Sequence, residues 1–146
     1  MMSAKQKQRL PGGTEKILVV DDEDSIRKLI QRRLCELGYT VVAVPTPESA
    51  IGRFAADPVY FDLVITDMST LEVSEGRLNS VISAMRPEIP IILHTGGIPP
   101  DDANGLIRRV IQKPVSRLDL ARAVRGVLDS AESAVSDTTP RMALSE

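Results

Sequence analysis

The tightest constraint on this chain is an alternation. Short aliphatic runs, "KILVV" at 16–20, "YTVVAV" at 39–44, "DLVIT" at 62–66 and "IPIILH" at 89–94, are each followed by a segment of different periodicity. Residues apolar at successive positions leave no solvent face, so such runs belong to strands covered on both sides. After the first run the apolar residues Ile26, Leu29, Ile30, Leu34 and Leu37 recur at three- and four-residue steps, the spacing of one helix face. A fifth, shorter run begins "VIQKP" at Val110. Strand followed by helix, repeated along the chain, predicts an α/β fold: an open, doubly wound parallel sheet with helices on both faces.

Punctuation residues set the expected boundaries. The first helix spans Ser25 to Leu37, with Gly38 as its C-terminal stop. Thr46 followed by Pro47 is a helix start, a capping hydroxyl and then a residue preset for the first turn. A third helix near Glu75 to Met85 carries the stripe Leu78, Val81, Ile82 and Met85 and stops at Arg86-Pro87. The last begins after Ser116 and turns Leu118, Ala121, Val124, Val127 and Leu128 inward. Between strands four and five, "TGGIPPDDANGLIRR" is broken by glycine and proline. It predicts an irregular segment from Gly97 to Arg109, with two helical turns near Asp102 to Arg108 at most. Residues 1–14, with Pro11-Gly12-Gly13, are expected to form a flexible N-terminal tail, residues 15–130 one folded unit, and residues 131–146 a flexible C-terminal tail.

Composition narrows the function classes. Aromatics are only 3% of the chain, which excludes a stacking surface for single-stranded nucleic acid. The formal charge of -2 gives no broad footprint for a phosphate backbone, and Lys5, Lys7 and Arg9 read as a solvated linker. Cys35 is the only cysteine, so neither an internal disulfide nor a Cys/His zinc cluster is available. No apolar run is long enough for a bilayer, and the start lacks a secretory core. The expectation is a cytoplasmic protein with no membrane and no direct nucleic-acid contact.

The carboxylates carry the chemistry. Asp21 and Asp22 close strand one, and Asp67 closes strand three. Ligand sites in doubly wound folds gather at these strand ends. In the common order strands one and three are neighbours, about 4.8 Å apart, so the three acids meet. Such a cluster repels itself unless one member takes a proton or a cation joins it. Mg²⁺ suits an all-oxygen site, and the backbone carbonyl of Ser69 would complete the protein's share beside Asp21, Asp22 and Asp67. Thr95 ends strand four with a hydroxyl and Lys113 ends strand five with an ammonium. A cation, a hydroxyl and an ammonium around Asp67 make sense if that aspartate is a covalent phosphoryl acceptor. Any one acid reads equally well as a helix cap; five such residues at strand ends do not. His94 reads as a packed or solvent-exposed residue rather than a catalytic one, and Gly96-Gly97 as a turn, because no GxxxxGK motif accompanies them.

The segments "ILVVDDE", "DLVITDM", "ILHTGG" and "KP", in that order, resemble the signature of bacterial two-component response-regulator receiver domains. The resemblance covers roughly residues 15 to 130. It implies a five-stranded sheet of order 2-1-3-4-5 and Mg²⁺-dependent transfer of phosphate from the phosphohistidine of a histidine kinase, or of a histidine phosphotransfer protein, to Asp67. Asp22 then resembles the direct metal ligand, Asp21 the water-mediated one, Thr95 the switch hydroxyl and Lys113 the family's lysine. The opener "GGTEKILVVDDE" is similar to receivers fused behind hybrid sensor kinases. The output partner is left unknown, a weak homodimer is allowed, and no room for a DNA-binding domain is expected after residue 130. The chain departs from the pattern in places. Leu71 and Glu75 stand where the family usually has Pro and Gly, the interval from Thr95 to Lys113 is about four residues short, and Val110 replaces the aromatic switch residue. A shortened or irregular fourth helix is therefore expected. Two alternatives stand beside this reading. One is a receiver-like interaction module that is never phosphorylated. The other is an aspartate-nucleophile phosphatase, which Ser69 disfavours because those enzymes typically carry a second Asp at that position.

Overall fold

The computed structural model describes residues 10–67, 78–96 and 107–144, with side-chain environments as far as residue 132. In chain order these form β1 (Lys16–Val20), α1 (Asp24–Glu36), β2 (Thr40–Val44), α2 (Pro47–Ala56), β3 (Leu63–Asp67), α3 (78–85), β4 (Ile91–Thr95), β5 (Ile107–Gln112) and α4 (Arg117–Leu144). The strands make a five-stranded sheet in the order β2-β1-β3-β4-β5, and every pairing is parallel. This is the doubly wound fold expected from the alternation.

Successive strand residues point to opposite faces, and the two faces have separate cores. Ile17, Val19, Ile65, Ile92 and Ile111 pack with Ile30 and Leu34 of α1 and Leu120, Ala123 and Val124 of α4. Leu18, Val20, Val64 and Ile91 pack with Ala50 and Phe54 of α2 and Leu78 and Ile82 of α3. β3 and β4 are buried throughout, which is why their sequences show no alternation. β5, at the sheet edge, is mostly exposed.

The expected punctuation is present. Gly38 has a φ of 103°, and a Cβ there would stand 2.5 Å from the carbonyl oxygen of Gly13, so glycine is required on both counts. The Thr46 hydroxyl accepts from the Ser49 N–H at 3.1 Å, and the Ser116 hydroxyl from the Asp119 N–H at 3.0 Å.

Four expectations need correction; one is Leu118, expected to face inward from the last helix, which is 38% exposed. Ile107 and Arg108, assigned on sequence to helical turns, and Arg109, assigned to an irregular segment, begin β5 instead. Pairing with β4 explains this: Ile91 faces Ile107 and Ile92 faces Arg109, so Arg108 is an extra residue absorbed in a register shift. The rest of the segment, 97–106, lies outside the described residues, and with it the expected short fourth helix. The last helix continues past Ser130 to Leu144; no glycine or proline interrupts residues 127–139. At the other end, Gly12 and Gly13 are held in place rather than loose. Arg125 donates to the Gly12 carbonyl at 3.0 Å and to the Glu15 carboxylate at 2.7 Å, and the Gly13 N–H donates to the Leu37 carbonyl at 3.2 Å.

Candidate functional site

The sheet order decides which residues meet. Because β1 lies beside β3, and β3 beside β4, the ends of three central strands open on one edge of the sheet. Asp21 follows β1, Asp67 closes β3 and Thr95 closes β4; all three side chains are buried. Asp22 is exposed beside them. One carboxylate oxygen from each of Asp21, Asp22 and Asp67 lies within 4.8 Å of the others. That places the acids as expected from sequence. Ser69, expected to add a carbonyl, lies outside the described residues, as do Leu71 and Glu75.

Lys113 crosses to this cluster from the end of β5. Its Nζ donates to Asp67 Oδ1 at 2.8 Å and stands 3.8 Å from Asp21 Oδ2. The backbone aims it: the Lys113 N–H donates to the Thr95 carbonyl at 2.7 Å, extending the β4–β5 ladder one step beyond β5. Glu23 also reaches Lys113, at 3.7 Å. Glu23, the last residue of "ILVVDDE", carries no role that its position in the sequence alone would show. Asp21 is fixed from both sides. Its N–H donates to Val44, its carboxylate accepts from the Glu23 N–H at 2.9 Å, and Arg27 donates to its carbonyl at 2.9 Å. Arg27 was likewise missed, since a single basic residue on a helix carries no signal of its own.

The electrostatics follow from this crowding. Burial pushes the Asp21 carboxyl up to about 6, with further repulsion from Asp67 and Asp22; the Glu23 N–H and Lys113 work against the rise. For Lys113, burial alone would lower the ammonium's pKa. The hydrogen bond to Asp67 and the charges of Asp21, Asp67 and Glu23 outweigh it, and the pKa is raised, so Lys113 is firmly cationic. One ammonium facing three carboxylates, with Asp22 beside them, leaves a surplus of negative charge. A donor set made wholly of carboxylate oxygens suits a hard divalent cation, and the repulsion that lifts Asp21 is what such a cation would relieve. Val110, at the position of the family aromatic, is 36% exposed on β5.

Among the described residues no helix is long and apolar enough to cross a membrane. Comparison with known proteins gives a consistent picture. The family model described as the response regulator receiver domain matches residues 17–125. A curated relative, the probable transcriptional regulator ycf27 of Cyanophora paradoxa, is 34% identical over 133 residues, covering 86% of this chain and 53% of its own length. The chain thus spans about half the length of the curated relatives first matched, from 45% to 53%. Among solved structures, a response regulator receiver domain protein from Clostridium thermocellum superposes with a TM-score of 0.74 at 27% identity, covering 82% of this chain and 98% of its own. The response regulator TrrA of Thermotoga maritima, solved in complex with Mg(2+)-BeF, superposes with a TM-score of 0.69 at 28% identity, covering 78% and 99%. A family match across most of the chain, a sheet of the expected order and a strand-end acid cluster agree: the chain belongs to the response regulator receiver family, and its function is that of a phosphoaccepting receiver domain.

Proposed function

We propose that Asp67 is the phosphoryl acceptor and that Asp21, Asp22 and Asp67, with the backbone carbonyl of Ser69, hold Mg²⁺. The observation that carries this reading is the 2.8 Å contact from Lys113 to Asp67 inside the three-acid cluster. A buried carboxylate held by an ammonium is oriented for attack. As the phosphoryl group arrives, its P–N bond to the donor imidazole breaks and a P–O bond to Asp67 forms. The Thr95 hydroxyl donates to a phosphoryl oxygen, and Lys113 offsets the charge gathering on the transferred group. Mg²⁺, when bound, supplies the remaining charge neutralisation. Asp21 and Asp22 would hold that cation beside Asp67.

The donor is a histidine kinase or a histidine phosphotransfer protein, the setting is the cytoplasm, and the readout is altered affinity for an output partner. Self-association as a weak homodimer fits the same scheme. Intact-mass measurement after incubation with Mg²⁺ and acetyl phosphate tests the assignment. Wild type should gain one phosphoryl group and Asp67→Asn none. Equal gain in both would move the acceptor elsewhere. No gain in either would favour an interaction module that is never phosphorylated.

A further inference from the structure

The connection from β1 to α1 runs only from Asp21 to Glu23, and it carries two of the three clustered acids. Its first residue is still bonded as part of the sheet: the Asp21 N–H donates to the Val44 carbonyl at 3.1 Å. Its last residue is already bonded as part of the helix, because the Glu23 carbonyl accepts from the Arg27 N–H at 2.9 Å. Asp22 stands between them, exposed, where the ladder has ended and the helix has not begun. Glu23, at the N-cap position, brings no side-chain hydrogen bond to the helix start.

Arg27 bridges that gap. Its Nη1 donates to the Asp21 carbonyl at 2.9 Å, and its Nη2 to Asp24 Oδ1 at 2.6 Å. A planar guanidinium holds two acceptors in a fixed relation, which a single ammonium cannot do. The bond to the Asp21 carbonyl is partly buried and the bond to Asp24 exposed, so water competes less for the first. The Asp21 carbonyl and the Asp22 Cα lie in one rigid peptide plane. Fixing that oxygen therefore fixes the plane from which Asp22 departs. The charge of Arg27 has an effect of the opposite sign. A guanidinium beside three acids repels a cation, so as a bare charge Arg27 weakens cation binding, and only as a brace does it strengthen it.

We infer that Arg27 is a positioning residue for the cation site. Its guanidinium braces the peptide between Asp21 and Asp22 and so holds the Asp22 carboxylate where a divalent cation meets all three acids. The inference rests on the Mg²⁺ assignment proposed above and adds to it a residue that acts through the backbone alone.

The test is a Mg²⁺ titration of the full chain followed by amide NMR, with no phosphoryl donor present. Arg27→Met, which keeps the length of the stem and loses the fork, should bind about tenfold more weakly, the usual scale for losing a partner that orients a metal ligand. Arg27→Lys keeps the charge but cannot span both acceptors, and should bind about threefold more weakly. In metal-free Arg27→Met, amide exchange should quicken at Asp22 and Glu23 more than along the rest of α1. Tighter binding by Arg27→Met would mean that Arg27 acts as a charge only, and would overturn the inference. Unchanged affinity in either folded variant would overturn it too, and a lower urea midpoint beside that unchanged affinity would make Arg27 an anchor of α1 alone. If Arg27→Met does not fold, Arg27→Lys decides. Wild type serves as the check on the underlying assignment. No shift around Asp21, Asp22 and Asp67 in wild type would remove the metal site and this inference with it, whereas normal wild-type binding matched by the variants would remove the inference alone.

Discussion

Lys113 answers to three carboxylates at once, Asp67 at 2.8 Å, Glu23 at 3.7 Å and Asp21 at 3.8 Å. Because the side chain crosses a gap rather than filling the core, Lys113→Ala should remain folded. Its loss removes a donor aimed at the transferred group, and a donor of that kind is worth about a hundredfold in rate. A time course of acetyl phosphate labelling by intact mass should show a slowing of about that size; an unchanged rate in a folded variant would remove Lys113 from the site. Two further residues oppose one another in pH dependence. The folded protein protonates His94 only near pH 4, whereas the unfolded chain does so near its ordinary value of about 6.5. Between those values the unfolded state binds more protons, so the His94 contribution falls as pH falls and levels off below 4. Asp21 runs the other way. Its folded form takes up a proton near 6, the unfolded chain only near its ordinary value of about 3.9, so acidification through that window favours the fold. Each effect amounts to roughly 3 kcal/mol at most. In metal-free buffer, urea midpoints from pH 7 to 4 should therefore show His94→Leu gaining on wild type as pH falls, and Asp21→Asn losing ground to it. Parallel curves would mean that neither group is perturbed.

At the level of elements, what was legible in the sequence was what is locally encoded. The Thr46 and Ser116 caps, the stop at Gly38 and the apolar stripes of α1 and α3, buried at Ile30, Leu34, Leu78 and Ile82 and half-buried at their flanks, each depend on residues within a turn of one another. The placement of Asp21, Asp22, Asp67, Thr95 and Lys113 at one sheet edge was legible for a related reason: each follows an aliphatic run, and strand ends are where a parallel sheet collects its chemistry. The start of β5 was not, because only the pairing of Ile107 with Ile91, a partner distant in sequence, turns that segment into strand. Nor was the clasp of Arg125 on Glu15, which spans 110 positions. The Gly38 turn offers a direct test of a local element. Gly38→Ala would force a side chain into a positive-φ position and against the Gly13 carbonyl. A loss of roughly 1 to 3 kcal/mol is expected by chemical denaturation, with phosphorylation by acetyl phosphate unchanged, because the turn sits at the end of the sheet away from Asp67. A neutral substitution would mean that α1 ends differently in solution.

For the molecule as a whole, folding and cation binding are linked, because the acids come together only when β1 and β3 pair. Whatever binds the assembled cluster and not the open chain raises stability by mass action. Thermal midpoints should therefore climb with Mg²⁺ concentration in wild type and climb much less in Asp22→Asn. Amide NMR in the same titration should shift residues around Asp21, Asp22 and Asp67; shifts confined to the chain ends would sink the metal assignment. The tie between Arg125, Gly12 and Glu15 has a mechanical consequence. It anchors the backbone ahead of β1 at the pole of the domain opposite Asp67, next to the Leu37–Gly38 turn. A tether, bead or fused partner attached ahead of Leu10 would thus pull on a guanidinium grip before it pulled on the sheet. It would leave the Asp67 pole facing outward, like a lamp held by its base.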